Sequence, residues 1–347
     1  MTGLVLAGGG VKGSYQIGAY LAFKKCGIRI DGVVGTSIGS FNAAMIVSGK
    51  EKELYNFWRN VDVGELLEFN TKYTDSVNNK DKFKELIYGI EQMTLIVKNK
   101  GINNTNLMNV LKEMLDEDKI RNSSMDYGLV TVRVEDLKPL YLFKEDMKKG
   151  KMAEYILASC NLPVFKSQKL IDDKYYIDGG FYDNNPVNML LNKNYDKVYT
   201  VEVNGIGFKQ KAKDESKITR ITPSKHLGST LNVNKSKINE NIKIGYYDTL
   251  KILKNYDGYN FIFKKHMNLL YNILAGKSDM DLYNKCKKYF KVEDNKELII
   301  KSLEYIMAKE DLTYFKVYNV NKIIKYVKNE TNKKHFVYEF VRSLRIF

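Results

Sequence analysis

Apolar residues arrive in short blocks at the start of this chain. Thr2 to Ala7 is a near-continuous apolar run that stops at Gly8-Gly9-Gly10, and beyond Gly13 the pattern turns helical as far as Lys25. A second apolar run, Asp31–Gly35, leads through a sharp turn into a second helix ending near Ile46. This strand, helix, strand, helix order predicts a mostly parallel sheet covered by helices, the α/β class. The most apolar long segment, about Val33–Gly49, contains Gly, Ser, Thr and Asn, so it reads as a buried turn and helix rather than a membrane span.

From about residue 50 to 125 the chain is richer in charge. Apolar residues recur three and four apart in KFKELIYGIEQM and NLMNVLKEMLDEDKI, which predicts a helical insertion. Strand patterns return in YGLVTVRVEDL and LYLF, followed by a helix near Met152–Cys160, an apolar strand Tyr175–Ile177, a helix over Pro186–Leu191 and the strand KVYTVEV. Asn185 is placed to cap that last helix, with Pro186 at its first position. After Asn204 the periodicity fades into Gly, Lys, Ser and Thr, then resumes as helices dense in Lys, Tyr and Asn. The expected division is a domain over 1–204 and a basic, mainly helical region over 205–347.

Charge sharpens that division. The net charge of +15 is carried almost wholly by the second part: residues 1–204 hold 27 Lys and Arg against 26 Asp and Glu, and residues 205–347 hold 29 against 15. No basic segment precedes an apolar one at the N-terminus, as a cleavable secretion signal would require, so the expected location is cytoplasmic. Cys26, Cys160 and Cys286 are widely spaced and form no C-x-x-C pair, which argues against a disulfide framework or a zinc site. Zinc-finger, RRM and KH signatures are absent too, so nucleic acid is not the expected partner.

Candidate chemistry begins at Gly35-Thr36-Ser37-Ile38-Gly39, a G-x-S-x-G string with a strand ahead and a helix behind. That context fits a tight strand-to-helix turn that exposes Ser37 at a helix N-terminus as a nucleophile. The only histidines are His226, His266 and His335, all beyond the α/β portion, so the base is sought elsewhere. Asp178, at the end of an apolar strand and followed by Gly179-Gly180, is the best candidate. Acyl transfer also needs donors aimed at an oxyanion, and the unobstructed amides of Gly8, Gly9 and Gly10 suit that role.

Taken in order, G-G-G-x-K-G, G-T-S-I-G and D-G-G, with ASCNLPVF before the Asp and DNNPV after it, resemble the patatin-like phospholipase family over roughly residues 2–204. The resemblance implies a three-layer α/β/α sandwich and a Ser–Asp dyad without histidine, acting on acyl esters of lipids. It further implies Ser37 as nucleophile, Asp178 as base and Gly8, Gly9 and Gly10 as the oxyanion loop. Gly13, Gly35, Gly39, Gly179 and Gly180 support the motifs. Lys12 falls where relatives carry Arg or Lys, and either holds the loop, attracts an anionic head group or is a solvated loop charge.

No metal or other cofactor is called for by that mechanism, and no calcium loop is visible. Phospholipid lies in an aggregate, so the implied partner is a lipid surface, with the basic region adsorbing to anionic membranes. Two rival readings remain. G-x-G-x-x-G at Gly8, Gly10 and Gly13 would suit a dinucleotide, but the acidic residue expected about twenty positions on would be Asp31, which precedes the next strand instead of ending it. The other rival is a catalytically inactive, membrane-binding relative. The acyl position, head group, chain length and oligomeric state are left open by the sequence.

Overall fold

The computed structural model describes residues 1–66, 104–163, 165–166, 168–231 and 234–345. The helix expected over KFKELIYGIEQM lies outside the described residues. The chain divides into two compact units, Met1–Asp248 and Thr249–Phe347.

The first unit is built on a seven-stranded sheet: β1 (Thr2–Leu6), β2 (Gly32–Thr36), β3 (Asp126–Arg133), β4 (Lys138–Phe143), β5 (Tyr176–Asp178), β6 (Lys197–Val201) and β7 (Ile218–Ile221). The strand order is β4-β3-β2-β1-β6-β7, with β5 pairing with β3. From β3 through β7 the neighbours run parallel, whereas β4 and β5 are antiparallel to β3. β1 and β2 are short apolar runs because both of their faces are covered, as parallel sheets require.

Helices flank this sheet: α1 (Ser14–Lys25), α2 (Ile38–Val47), α3 (Glu51–Asn60), α4 (Thr105–Met114), α5 (Glu117–Asn122), α6 (Met152–Ser159), α7 (Val187–Asn192) and α8 (Lys235–Leu253). Val5, Val34, Val130 and Val198 of the sheet pack with Val187, Met189 and Leu190 of α7. α2 lies against β1, β2 and β3.

The sequence places the boundary near 205, where composition changes, but the sheet runs on. β7 joins the edge at β6, and α8 is tied to α1 by Asp248, whose carboxylate accepts from the buried Tyr15 hydroxyl at 3.1 Å. Composition reports solvent-facing residues, and an edge strand such as ITRI, with only Ile221 buried, leaves little trace in it.

The second unit contains α9 (Asn268–Gly276), α10 (Met280–Phe290), α11 (Asn295–Lys309), α12 (Val320–Glu330) and α13 (Phe336–Ser343), with a two-stranded parallel ribbon, β8 (Ile262–Phe263) and β9 (Val317–Tyr318). Its core holds Leu274, Leu298, Leu303, Ile306, Ile324 and Phe340. Asp279, Asp294 and Asn319 cap their helices by accepting from backbone amides, each cap contributing about 1 kcal/mol. Among the described residues no helix is long and apolar enough to cross a membrane.

Candidate active site

Ser37 follows directly on β2 with φ 55° and ψ −134°, a conformation that strains a residue bearing a side chain by about 1–3 kcal/mol. Its surroundings fix it there. Ser37 N–H donates to Ser159 Oγ at 2.9 Å, and Ser159 Oγ donates in turn to the Val130 carbonyl at 2.7 Å. The Ser40 amide and hydroxyl both donate to the Ser37 carbonyl, at 2.8 and 2.6 Å. The turn is so tight that a Cβ on Gly35 would lie 2.3 Å from the Gly39 carbonyl carbon, and one on Gly39 would lie 2.0 Å from the Leu6 oxygen. Both glycines of G-T-S-I-G are therefore steric necessities, and they leave Ser37 at the N-terminus of α2, where developing negative charge is favoured.

Asp178 reaches the same place by another route. On β3, Val130 pairs with Thr36 at the end of β2, and the next residue, Thr131, pairs with Asp178 at the end of β5. β2 and β5 thus approach along one edge of β3 from opposite directions and end on consecutive positions, bringing the residue after Thr36 to the Asp178 carboxylate. The rule that parallel strands aim their C-termini at a site picks out Asp178, but β5 is antiparallel, and three residues long, so its end falls at β2 instead of across the sheet. The Asn161 carbonyl accepts from the Asp178 amide at 2.9 Å, and the Asn161 side chain donates to the Tyr176 carbonyl at 2.7 Å.

The carboxylate itself is buried. Oδ1 accepts from the Gly180 amide at 2.7 Å, and Oδ2 has no well-aligned hydrogen bond among the described residues. Burial pushes the Asp178 pKa up to about 6, opposed by the Ser37 side chain and the Gly180 amide. A carboxylate so placed is a stronger base than one in water and is ionised at neutral pH. Gly179 is held tight as well, since a Cβ there would meet the Val130 oxygen at 2.2 Å.

The glycine loop flanks this pair. A Cβ on Gly8 would fall 3.1 Å from the Ser37 Cβ, which sets the loop beside the serine. The Gly8 amide, expected from the sequence to serve an oxyanion, instead donates to the Asn184 carbonyl at 3.2 Å, and Asn184 Nδ2 returns a bond to the Gly8 oxygen. No partner engages the Gly9 or Gly10 amide among the described residues. Gly10 has φ 56° and, like Val11, lies against Thr230; Gly13 sits at the junction with α1, against Ile38. Lys12 is buried, and its ammonium donates to the Asn204 carbonyl at 3.1 Å, so it holds the loop.

Several residues the sequence left without a role assemble the site. The segment around ASCN links its two halves, Ser159 holding the Ser37 amide and Asn161 the Asp178 amide. DNNP does likewise: the Asp183 carbonyl accepts from Thr36 Oγ1 at 2.8 Å, and Asn184 grips Gly8. Asn185 does not cap α7 through its side chain. Pro186 is the N-cap, and the Asn185 side chain is taken up by Thr200 and Glu202, buried polar groups that are costly to leave without partners. Only their position beside the recognised motifs could have singled these residues out.

A narrow cavity, partly open to solvent, begins at Ser37 and Gly10. Its lining is nearly all apolar, with Phe41, Trp58, Leu107, Leu111 and Phe165 prominent. Histidine is absent from the cavity lining and from the hydrogen bonds of Ser37 and Asp178 among the described residues. His226 lies within the first unit, its Nδ1 accepting from the Gly228 amide, and His335 caps α13. Among the described residues no group of three or more His, Cys, Asp or Glu side chains is arranged to hold a metal ion.

A lysophospholipase nte1 from Aspergillus terreus is 26% identical over 206 residues, covering 59% of this chain and 12% of its own length. The lysophospholipase NTE1 of Pyricularia oryzae gives the same figures. The chain therefore matches only a small part of these relatives. Among solved structures, VipD from Legionella pneumophila superposes with a TM-score of 0.47 at 15% identity, covering 94% of this chain and 79% of VipD. The type III effector ExoU gives 0.38 at 13%, covering 95% and 69%. The family model of the patatin-like phospholipases matches residues 4–191, from β1 into α7. That stretch is more than half of the chain and carries the strained serine, the glycine loop and the buried aspartate; the chain belongs to the patatin-like phospholipase family.

Proposed function

We propose that the protein is a serine acyl hydrolase that cleaves fatty-acyl esters of phospholipids or related lipids through Ser37 and Asp178. The observation that carries this reading is the meeting of β2 and β5 on consecutive residues of β3, which sets a buried carboxylate, one oxygen of which has no well-aligned partner among the described residues, against a strained serine. Asp178 takes the Ser37 proton as Oγ attacks the ester carbonyl, and the oxyanion is received by the Gly9 and Gly10 amides and the α2 N-terminus. Collapse returns the proton from Asp178 to the departing alcohol and leaves an acyl-serine. Water then attacks, giving its proton to Asp178, and the fatty acid leaves as Ser37 regains its hydrogen. The apolar cavity beside Ser37 suits an acyl chain.

The substrate of such an enzyme sits at a membrane surface. Thr249–Phe347 carries 20 Lys and Arg against 11 Asp and Glu, which supports reversible adsorption to anionic lipid. Cosedimentation with vesicles should rise with anionic lipid and fall with salt; equal binding to neutral vesicles at every salt concentration would sink the electrostatic part.

Turnover of a short-chain p-nitrophenyl ester tests the chemistry. Ser37→Ala should lose activity by at least about 10³-fold and Asp178→Asn by about 10²–10⁴-fold, with folding intact by circular dichroism. Retained activity in Ser37→Ala refutes the mechanism, and an inert wild type favours a membrane-binding relative without catalysis. Mass spectrometry of products from a mixed-chain phospholipid would identify the acyl position.

A further inference from the structure

Two loops at the edge of the site expose apolar side chains although their backbones are firmly held. The first, Gly179–Tyr182, follows Asp178 directly, and the second runs from Asn204 to Gln210. Between them the Phe208 amide donates to the Gly180 carbonyl at 2.9 Å, the Asn184 amide to the Phe208 carbonyl at 2.6 Å, and Gln210 Nε2 to the Tyr182 carbonyl at 2.9 Å. The second loop also touches the glycine loop, since a Cβ on Gly205 would meet the Gly8 oxygen at 2.0 Å. At its base Lys209 is paired with the buried Glu202. A chain pinned to the glycine loop on one side and to the aspartate loop on the other should bury its apolar side chains if they served the core.

They are not buried. Phe208 is 66% exposed and Ile206 48%, with Phe181 and Tyr182 also exposed on the neighbouring loop. Exposed Lys211 follows in the sequence, beside the Lys209–Glu202 pair. An aliphatic and three aromatic side chains on fixed backbone, with a cationic flank, match the boundary between lipid tails and head groups, where aromatic rings and lysine stems are accommodated together. A soluble protein partner would not need the patch tied to both site loops. A bilayer does, because lipid has only to move from that surface to Ser37.

We propose that Phe181, Tyr182, Ile206 and Phe208 form a membrane-insertion rim, which seats the site edge on a phospholipid bilayer. This rests on the acyl hydrolase reading only for its purpose; the rim can be tested without turnover. In a Ser37→Ala background, which leaves the lipid intact, Phe208→Trp reports the rim against Trp58, the single native tryptophan and a buried one. Vesicles of phosphatidylcholine and phosphatidylglycerol should shift its emission to the blue, and brominated acyl chains should quench it.

In the otherwise unaltered protein, Ile206→Ser with Phe208→Ser should slow hydrolysis of vesicular phospholipid by about tenfold, while turnover of a soluble ester stays within about twofold. The rim is overturned if the Phe208→Trp emission is unmoved while the protein cosediments with vesicles, or if the double variant keeps full activity on vesicles. Failure of the wild type on the soluble ester would instead refute the acyl hydrolase reading and leave the fluorescence result to stand alone.

Discussion

The site end of the first unit and the core of the second unit bury different kinds of residue. Behind the apolar cavity wall, Ser37 is surrounded by many buried polar groups: Gln16, Thr36, Ser40, Asn42, Ser159, Asn161, Asp178, Asp183 and Asn184. Nearly all are bonded to backbone, and they hold a serine in a conformation it would not adopt alone. The second unit buries mainly Leu, Ile, Val and aromatic side chains, with Thr249, Ser302 and Glu304 as its few buried polar groups among the described residues. Buried polarity and strain cost stability, so their concentration at one end of a sheet marks where function has been favoured over packing.

The sharpest break in this contrast comes from adding a methyl group. Gly39→Ala forces a Cβ against the Leu6 carbonyl, a backbone atom that cannot swing aside, and should cost about 4 kcal/mol or more. Urea unfolding followed through Trp58, which lies in the first unit, measures it. An unchanged midpoint would mean that the turn is not so tight.

Removing bulk from the other region should do something different. Leu303→Ala should destabilise the protein by about 2–5 kcal/mol by far-ultraviolet circular dichroism, without changing soluble-ester turnover per folded molecule. A fall in turnover under folding conditions would erase the distinction between the two regions.

A smaller effect carries a sign. The folded pKa of Asp178, about 6, lies above its ordinary value of 3.8, so its protonated form is favoured on folding. Relative to a neutral residue it costs no stability below pH 4, and the penalty grows as pH rises through 6. Asp178→Asn should therefore be near neutral in stability at pH 4 and stabilising by up to about 3 kcal/mol at pH 8, where activity is lost. For the wild type, kcat/KM should rise with pH through about 6 as the base ionises. Equal stability of the two proteins at pH 8 would contradict a desolvated carboxylate.

The two regions also differ in what a reader of the sequence could see. Strands, turns and glycines of the first fifty residues were legible because each has a local cause: an apolar run, a tight turn, a helix behind it. The strand ending at Asp178 was legible, but not the antiparallel direction of β5, since three residues have no periodicity to read. The sheet's continuation into β7 was hidden by its mostly exposed edge position. Ser159, Asn161 and Asn184 bond to backbone atoms 122, 17 and 176 residues away in sequence, and no local pattern encodes such partners. The bond from the Gly8 amide to the Asn184 carbonyl was invisible for the same reason. In the second unit the helices were readable from spacing, but the ribbon of β8 and β9, two residues a strand, was not.

In the proposed mechanism Ser37 is the nucleophile and Asp178 its base. Labelling by a fluorophosphonate, with the modified residue mapped by mass spectrometry, tests both at once. The expected result is a single adduct on Ser37, formed at a rate that rises with pH through about 6 and falls by about 10²-fold or more in Asp178→Asn. An adduct on another residue, or labelling of Ser37 at an unchanged rate in Asp178→Asn, would contradict it.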